Sequence, residues 1–256
     1  MVILGKSYYL EITFSHFIWL LYTKFSVAAY RLWDIVRWTP LRLRRIALHI
    51  TDGVKNLRDK ENIQRAKDLP GGHRWWWSEF GVLLMSLVGT AEIYETVNDI
   101  LKFNTRSLTP WERELVRSVY GDTINYRRVR IDNLSIVGPR QYRFCYVSFY
   151  TINSWGDMSN HLLIHEMMHV WQYQNLGAIY IPRALAAQHS TDGYNYGGLP
   201  ALEAARAEGK GLDAFNLEQQ AEIITDYYLL REGYKAQYAA AARFDLPLYE
   251  YFVNQL

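Results

Sequence analysis

The sequence contains little cysteine, little net charge and no uncharged run of membrane-spanning length. Cys145 is the one cysteine among 256 residues, which excludes an internal disulfide and fits synthesis in a reducing cytoplasm. The formal net charge is only +2, so bulk charge does not indicate nucleic-acid binding, and no nucleic-acid partner is expected. The uncharged run from Phe80 to Ala91 is shorter than the ~20 residues that cross a bilayer, which favours a buried core helix.

The N-terminal region is aromatic-rich and apolar over residues 8–36, but charged residues interrupt it and make a membrane span marginal. Residues 31–45 then carry several arginines among leucine, isoleucine and tryptophan. A basic amphipathic helix of this kind can lie on an anionic membrane surface. We favour the alternative, a helical extension that packs on the rest of the chain or on a delivery partner, because long basic side chains often cover apolar surface.

The strongest break in the sequence is the segment Leu69-Pro70-Gly71-Gly72, which follows a charge-dense stretch over residues 51–70. We therefore place a domain boundary there. Residues 1–72 are predicted to form a helical extension with a delivery, membrane-surface or inhibitory role. Residues 73–256 are predicted to form the main domain.

The main domain is predicted to be α+β and mainly α-helical, with a small sheet. Caps, breakers and alternation predict helices at residues 109–120, 181–187 and 234–243, and strands at residues 126–131, 135–137 and 142–151. The last strand would lie beside a cleft, where an extended peptide could add to its edge.

The central motif is HExxH, from His165 to His169. On a helix, residues four apart share a face, so both imidazoles can reach one metal ion at about 2.0–2.1 Å. Glu166 can then act on a water molecule in the open metal position, as the general base of a metalloprotease does. The competing interpretation is an amphipathic helix whose histidines face inwards. Apolar residues around the motif predict a half-buried site, as a catalytic metal needs.

A second helix, predicted over residues 216–233, can complete a zinc site. Glu222 and Asp226 lie four residues apart on one face. We predict that Glu222 is the third ligand beside His165 and His169, and that Asp226 accepts the distal N–H of a ligating histidine. Glu218 is the competing ligand, one turn earlier. Glu222 is favoured because Asp226, its acidic partner one turn further on, can orient a ligating histidine.

The segment between these two helices contains three candidates for stabilising an oxyanion, which are His189, Tyr194 and Tyr196. Residue types alone do not choose among them. His161, one turn before His165, is expected to support the site and not to bind the metal, since a glutamate completes the ligand set.

Two runs, His165 to Gln174 and Leu217 to Tyr228, resemble the zincin-type metallopeptidase effectors of bacterial type VI secretion. Such effectors occur as C-terminal domains of valine–glycine-repeat spike proteins or as separate spike-related proteins. Residues 108–131 resemble the lead-in of the same domain, so the similarity covers roughly residues 108–235. It implies a zincin-like core with one zinc ion and a peptidase made in a bacterial cytoplasm. It also implies a secretion spike or chaperone, action in a target cell's periplasm and an immunity protein.

Two other functions remain open. A zinc hydrolase could cut the peptide cross-links of the cell wall by the same chemistry. A non-catalytic, zinc-containing delivery or binding module is the other alternative. The presence of Glu166 argues against it, because a structural zinc site normally closes its fourth position with a protein ligand and has no use for a general base.

Overall fold

The computed structural model describes residues 14–58, 73–102, 104–142 and 144–256. These residues are mainly helical with one small mixed sheet, as predicted from the sequence. The helices of the described residues are α1 (Phe14–Arg58), α2 (His73–Leu87), α3 (Thr90–Leu101), α4 (Pro110–Tyr120), α5 (Asn160–Leu176), α6 (Tyr180–Gln188), α7 (Gly198–Ala207), α8 (Leu217–Arg231) and α9 (Leu246–Val253). The predicted boundary at residues 69–72 lies outside the described residues.

Helix α1 is a single helix of 45 residues that packs against α2 and α3. The uncharged run after Phe80 was predicted to be one buried core helix, and the structure corrects this. The run breaks at Gly89, whose positive φ of 76° separates α2 from α3. Only one side of α2 is buried, because Leu83 and Ser86 face inwards while Leu84 and Met85 are exposed.

The sheet has three strands, β1 (Arg130–Asp132), β2 (Tyr146–Ser148) and β3 (Thr151–Asn153), in the order β1-β3-β2. β1 is parallel to β3, and β2 is antiparallel to it. The strand predicted over residues 142–151 is therefore wrong in extent. The chain turns back at Phe149, which has a positive φ of 60°, so Ser148 pairs with Thr151. Alternation of side chains predicts a strand but does not indicate where the strand reverses.

Two further predicted elements differ from the structure. Residues 136–140 form a π-helical turn where a strand was expected. Residues 234–242 form no helix, and the closing helix is α9 instead. The backbone N–H groups of Gln237 and Tyr238 donate to the carboxylate of Asp226, so they are not available for a helical hydrogen-bond ladder.

The core lies around α5 and α8, which pack against each other more extensively than any other pair of described elements. Ile164, Met167 and Met168 of α5 are fully buried, as are Ile223 and Ile224 of α8. Because apolar packing surrounds α5 on almost every side, the HExxH residues are held inside the molecule and not on its surface.

Candidate metal centre

Helix α5 carries the HExxH motif and is positioned by local signals at both ends. It begins after Ser159 and ends at Gly177, whose positive φ of 74° is readily adopted by glycine. His165, Glu166 and His169 are all buried. The spacing therefore places two imidazoles and one carboxylate together within a largely apolar helix.

Glu218 of α8 meets both histidines. Its Oε2 lies 3.5 Å from Nε2 of His165 and 3.3 Å from Nε2 of His169. One ligand atom from each of these three residues lies within 4.8 Å of the other two. Two imidazole nitrogens and one carboxylate oxygen are the donors that zinc takes in a three-residue catalytic site.

Glu222 occupies a different position from the one predicted. Its Oε1 lies 3.2 Å from Nδ1 of His165, on the side of the ring away from Glu218. This is the place of a group that orients a ligating histidine, not of a ligand that shares the metal with Nε2. The geometry therefore favours Glu218 as the candidate third ligand, one helical turn before the predicted Glu222, which contacts His165 from the Nδ1 side.

Asp226 was predicted to orient a histidine, and the structure places it elsewhere. Its carboxylate accepts a hydrogen bond of 2.6 Å from the hydroxyl of Tyr196 and two from the backbone N–H groups of Gln237 and Tyr238. Asp226 therefore anchors the segment after α8, one turn too far along the helix to reach the histidines.

Gln172 is a residue of the candidate site that the sequence interpretation missed. Its Oε1 lies 2.8 Å from Nδ1 of His169, while its Nε2 donates to the carbonyl of Leu217 and to Gln220. Because the amide nitrogen is committed to two acceptors, the amide oxygen faces the imidazole and accepts the proton on Nδ1. Nε2 of His169 is then left to bind a metal. The available signal was a glutamine three residues after the second histidine, on the same helical face.

Buried carboxylate oxygens without hydrogen-bond partners indicate whether the site suits a cation. Within the described part of the chain, both carboxylate oxygens of Glu218 and one oxygen each of Glu166 and Glu222 are buried without a hydrogen-bond partner. A buried carboxylate without a partner is costly unless a cation neutralises it. The donor set and its unpaired oxygens therefore fit a divalent metal ion.

The pKa values describe the same electrostatic field. Burial lowers the pKa of His165, but its contacts with Glu218 and Glu222 outweigh burial and raise the pKa to about 10. Burial alone would raise the pKa of Glu218, yet the two histidines lower it to about 2. Burial raises the pKa of Glu166 above its usual value. A field that holds protons on the imidazoles also favours a cation in their place, in competition with those protons.

A cleft of about 710 Å³ opens over these residues. Its apolar wall includes Val147, Leu162, Ile181 and Leu185. The cleft also exposes the metal-binding side of the centre, which a substrate must reach.

Among the three candidates for oxyanion stabilisation, only Tyr194 lines the cleft. Burial raises the pKa of Tyr194, so its phenol keeps its proton at neutral pH and can donate. Tyr196 is buried against Asp226 and Tyr249, and His189 is exposed and bonded to the carbonyl of its own helix at Leu185. Tyr194 therefore remains a candidate for oxyanion stabilisation, whereas Tyr196 and His189 lie outside the cleft.

Comparison with known proteins gives one relative. The type VI secretion system spike protein VgrG2b of Pseudomonas aeruginosa is 29% identical over 153 residues. The alignment covers 54% of this chain but only 14% of the spike protein, so the chain spans a small part of its relative's length. No protein-family model matches the chain, and no solved structure matches it. The similarity supports an association with type VI secretion.

Tyr196→Phe is expected to lower the free energy of unfolding by about 1–3 kcal/mol, because it leaves the buried carboxylate of Asp226 without one donor. Urea titration measures this change. The exposed Tyr234→Phe is the matched control and should leave the midpoint unchanged. An unchanged midpoint in Tyr196→Phe would contradict a stabilising contribution of the Tyr196–Asp226 hydrogen bond.

Proposed function

We propose that the chain is a zinc-dependent metallopeptidase. The observation that carries the proposal is the convergence of His165, His169 and Glu218 beside Glu166, all buried at the base of an open cleft. Two histidines and one glutamate leave a fourth zinc position for water, whereas a structural zinc site normally closes it with protein. The combination of three ligands, an adjacent carboxylate and a cleft is that of a hydrolytic site.

The roles of the residues follow from their positions. When bound, zinc would lower the pKa of its water towards ~7 and polarise the scissile carbonyl. Glu166, which lines the cleft beside the two histidines, accepts a proton from the attacking water and returns it to the leaving amine. Glu222 holds the ring of His165 and Gln172 holds the ring of His169, so both Nε2 atoms stay directed at the metal.

The cleft suits an extended peptide. β2 is an edge strand of the sheet, and Tyr146 and Val147 of this strand line the cleft. A peptide can add to such an edge through backbone hydrogen bonds, while the apolar wall takes a side chain. A protein or peptide is therefore the proposed substrate class.

Tyr194→Phe is expected to lower kcat by about 10²–10³-fold while KM changes little, because a donor to developing negative charge acts mainly in the transition state. The measurement is steady-state hydrolysis of a peptide substrate. Tyr234→Phe, at an exposed position outside the cleft, serves as the control. A kcat equal to that of the wild type would remove Tyr194 from the mechanism.

The similarity to a type VI secretion spike protein supports a biological role. In this proposal the chain is made in a bacterial cytoplasm, exported with a secretion spike or chaperone, and acts in the periplasm of a target cell opposed by an immunity protein. The test directs the chain to the periplasm of a susceptible bacterium, with Glu166→Gln as the inactive control. Growth arrest by the wild type alone supports the role, and unchanged growth and morphology contradict it.

The cell-wall alternative uses the same centre and differs in substrate. Digestion of purified sacculi would release muropeptides cut at peptide cross-links, whereas a peptidase acting on proteins would leave sacculi intact. A non-catalytic zinc module would bind the metal and cleave neither substrate.

A further inference from the structure

The three N-terminal helices have an inverted distribution of polarity. Lys24, Arg31, Asp34 and Arg42 of α1 are buried, and so are three acidic residues of α3, Glu92, Glu95 and Asp99. Large apolar side chains are exposed instead. They include Tyr22, Phe25, Leu32, Trp33, Val36, Leu43 and Leu48 of α1, and Trp77, Leu84, Met85, Val88, Ile93, Val97, Ile100 and Leu101 from α2 to the end of α3.

The buried charges neutralise one another between α1 and α3. Nη1 of Arg31 lies 3.2 Å from Asp99, and Nε of Arg31 lies 3.5 Å from Glu95. Lys24 also lies 3.5 Å from Asp99, and Arg42 pairs with Glu92. Arg31 and Arg42 therefore bind acids inside the bundle, whereas the sequence interpretation expected the basic side chains of residues 31–45 to cover apolar surface.

This distribution is unfavourable in water. A buried ion pair stabilises a fold no better than apolar packing of the same volume. A large contiguous exposed apolar surface is rare on a soluble monomer and marks an interaction site. In the hydrocarbon of a bilayer this distribution is the favourable one. There, charged side chains must face the interior of the bundle and pair with each other, while apolar side chains face the lipid.

The outward surface also has a charge preference. Over residues 18–54, the exposed charged side chains among those described are Arg37, Arg44 and Asp52, of which two are basic and one is acidic. Tyr22, Trp33 and Trp77 are exposed, and such amphipathic aromatic side chains favour the level of lipid headgroups. Basic residues beside an apolar surface attract anionic headgroups.

Length and composition agree with contact at a bilayer. No described helix alone is long and apolar enough to cross a membrane, but Trp76–Leu87 and Thr90–Leu101 together meet the criterion as a pair bent by 66°. Exposed apolar residues extend along α1 from Ile18 to Val54, and further ones lie on α2 and α3.

We infer that the outward surface of α1, α2 and α3 inserts into an anionic phospholipid bilayer. This surface consists of the exposed apolar residues of the three helices given above. The inference is independent of the metal centre, because it depends only on where charged and apolar side chains of the N-terminal helices lie.

The test is co-sedimentation of the full chain with vesicles. Vesicles of phosphatidylethanolamine and phosphatidylglycerol should retain the protein more strongly than vesicles of phosphatidylcholine. The double variant Leu32→Glu, Val97→Glu should bind about tenfold more weakly or worse, because acidic groups resist transfer into lipid. The double variant Tyr234→Glu, Phe244→Glu is the matched control, since it adds the same two charges at exposed residues outside these helices and should bind as the wild type does.

Tryptophan quenching by brominated lipids locates the contact without relying on a destabilising variant. Trp33→Phe and Trp77→Phe should each lose part of the quenched fluorescence, while Trp111→Phe, at an exposed site on α4, should lose none. Absence of vesicle binding at low salt would overturn the inference. Equal binding by Leu32→Glu, Val97→Glu would do the same. Dimers in solution that the double variant abolishes, without vesicle binding, would assign the surface to a second copy.

Discussion

Glu166→Gln is expected to abolish peptide hydrolysis while zinc remains bound. Glu166 is buried beside the two histidines and lines the cleft, so it can reach a water molecule there without being needed as a ligand. A general base contributes about 10²–10⁴-fold to rate, and glutamine keeps the size of the side chain but cannot accept the proton. We expect kcat to fall by about 10³-fold or more, with zinc content unchanged at one ion per chain.

The matched control for this variant is Glu203→Gln, which makes the same change at an exposed position on α7. It should leave kcat and zinc content at wild-type values. Zinc analysis of Glu166→Gln is the internal check on folding, because a collapsed site would lose the metal as well as the activity. A fully active Glu166→Gln would remove the proposed mechanism.

Glu218→Ala is expected to lose the zinc ion, whereas Glu222→Ala is expected to keep it. Glu218 faces Nε2 of both histidines, and its two oxygens have no other partner among the described residues. Removing it leaves two ligands where zinc needs three from the protein. Glu222 contacts only Nδ1 of His165, and the loss of such a supporting partner costs about 10–100-fold in metal affinity.

Elemental analysis after dialysis against excess metal measures the first effect, and competition with a chelator measures the second. The two variants remove the same chemical group from neighbouring turns of α8, so each is the control for the other. Zinc lost in Glu222→Ala but kept in Glu218→Ala would restore the assignment made from the sequence. If the folded wild type binds no zinc, the site is not a zinc centre and the proposal of a zinc-dependent enzyme is contradicted.

Much of the helical framework could be predicted because its signals are local. Thr109 and Glu112 form a reciprocal capping box at the start of α4, and Asn216 and Gln219 do the same at α8. Each pair satisfies backbone groups within one turn, so neighbouring residues suffice to define the helix start. The HExxH spacing is local in the same sense.

Elements that depend on distant contacts were predicted less well. Residues 142–151 alternate as one strand should, yet a turn at Phe149 makes them a hairpin with Thr151 in the second strand. Residues 234–243 have helical composition, yet Asp226 holds their backbone in a non-helical course. In both cases a tertiary contact outweighs a weak local preference.

The sequence by itself determined that two histidines and a glutamate share one helix, and that a second helix presents Glu218 and Glu222 on one face. It did not determine which glutamate meets the histidines, since residues one turn apart have the same spacing pattern. The packing of α5 against α8 decided this by placing Glu218 opposite both Nε2 atoms. Tertiary structure likewise decided that Arg31 and Arg42 of α1 face inwards, because their acidic partners lie on α3. Arg31 and its partner Asp99 are more than sixty residues apart in the chain.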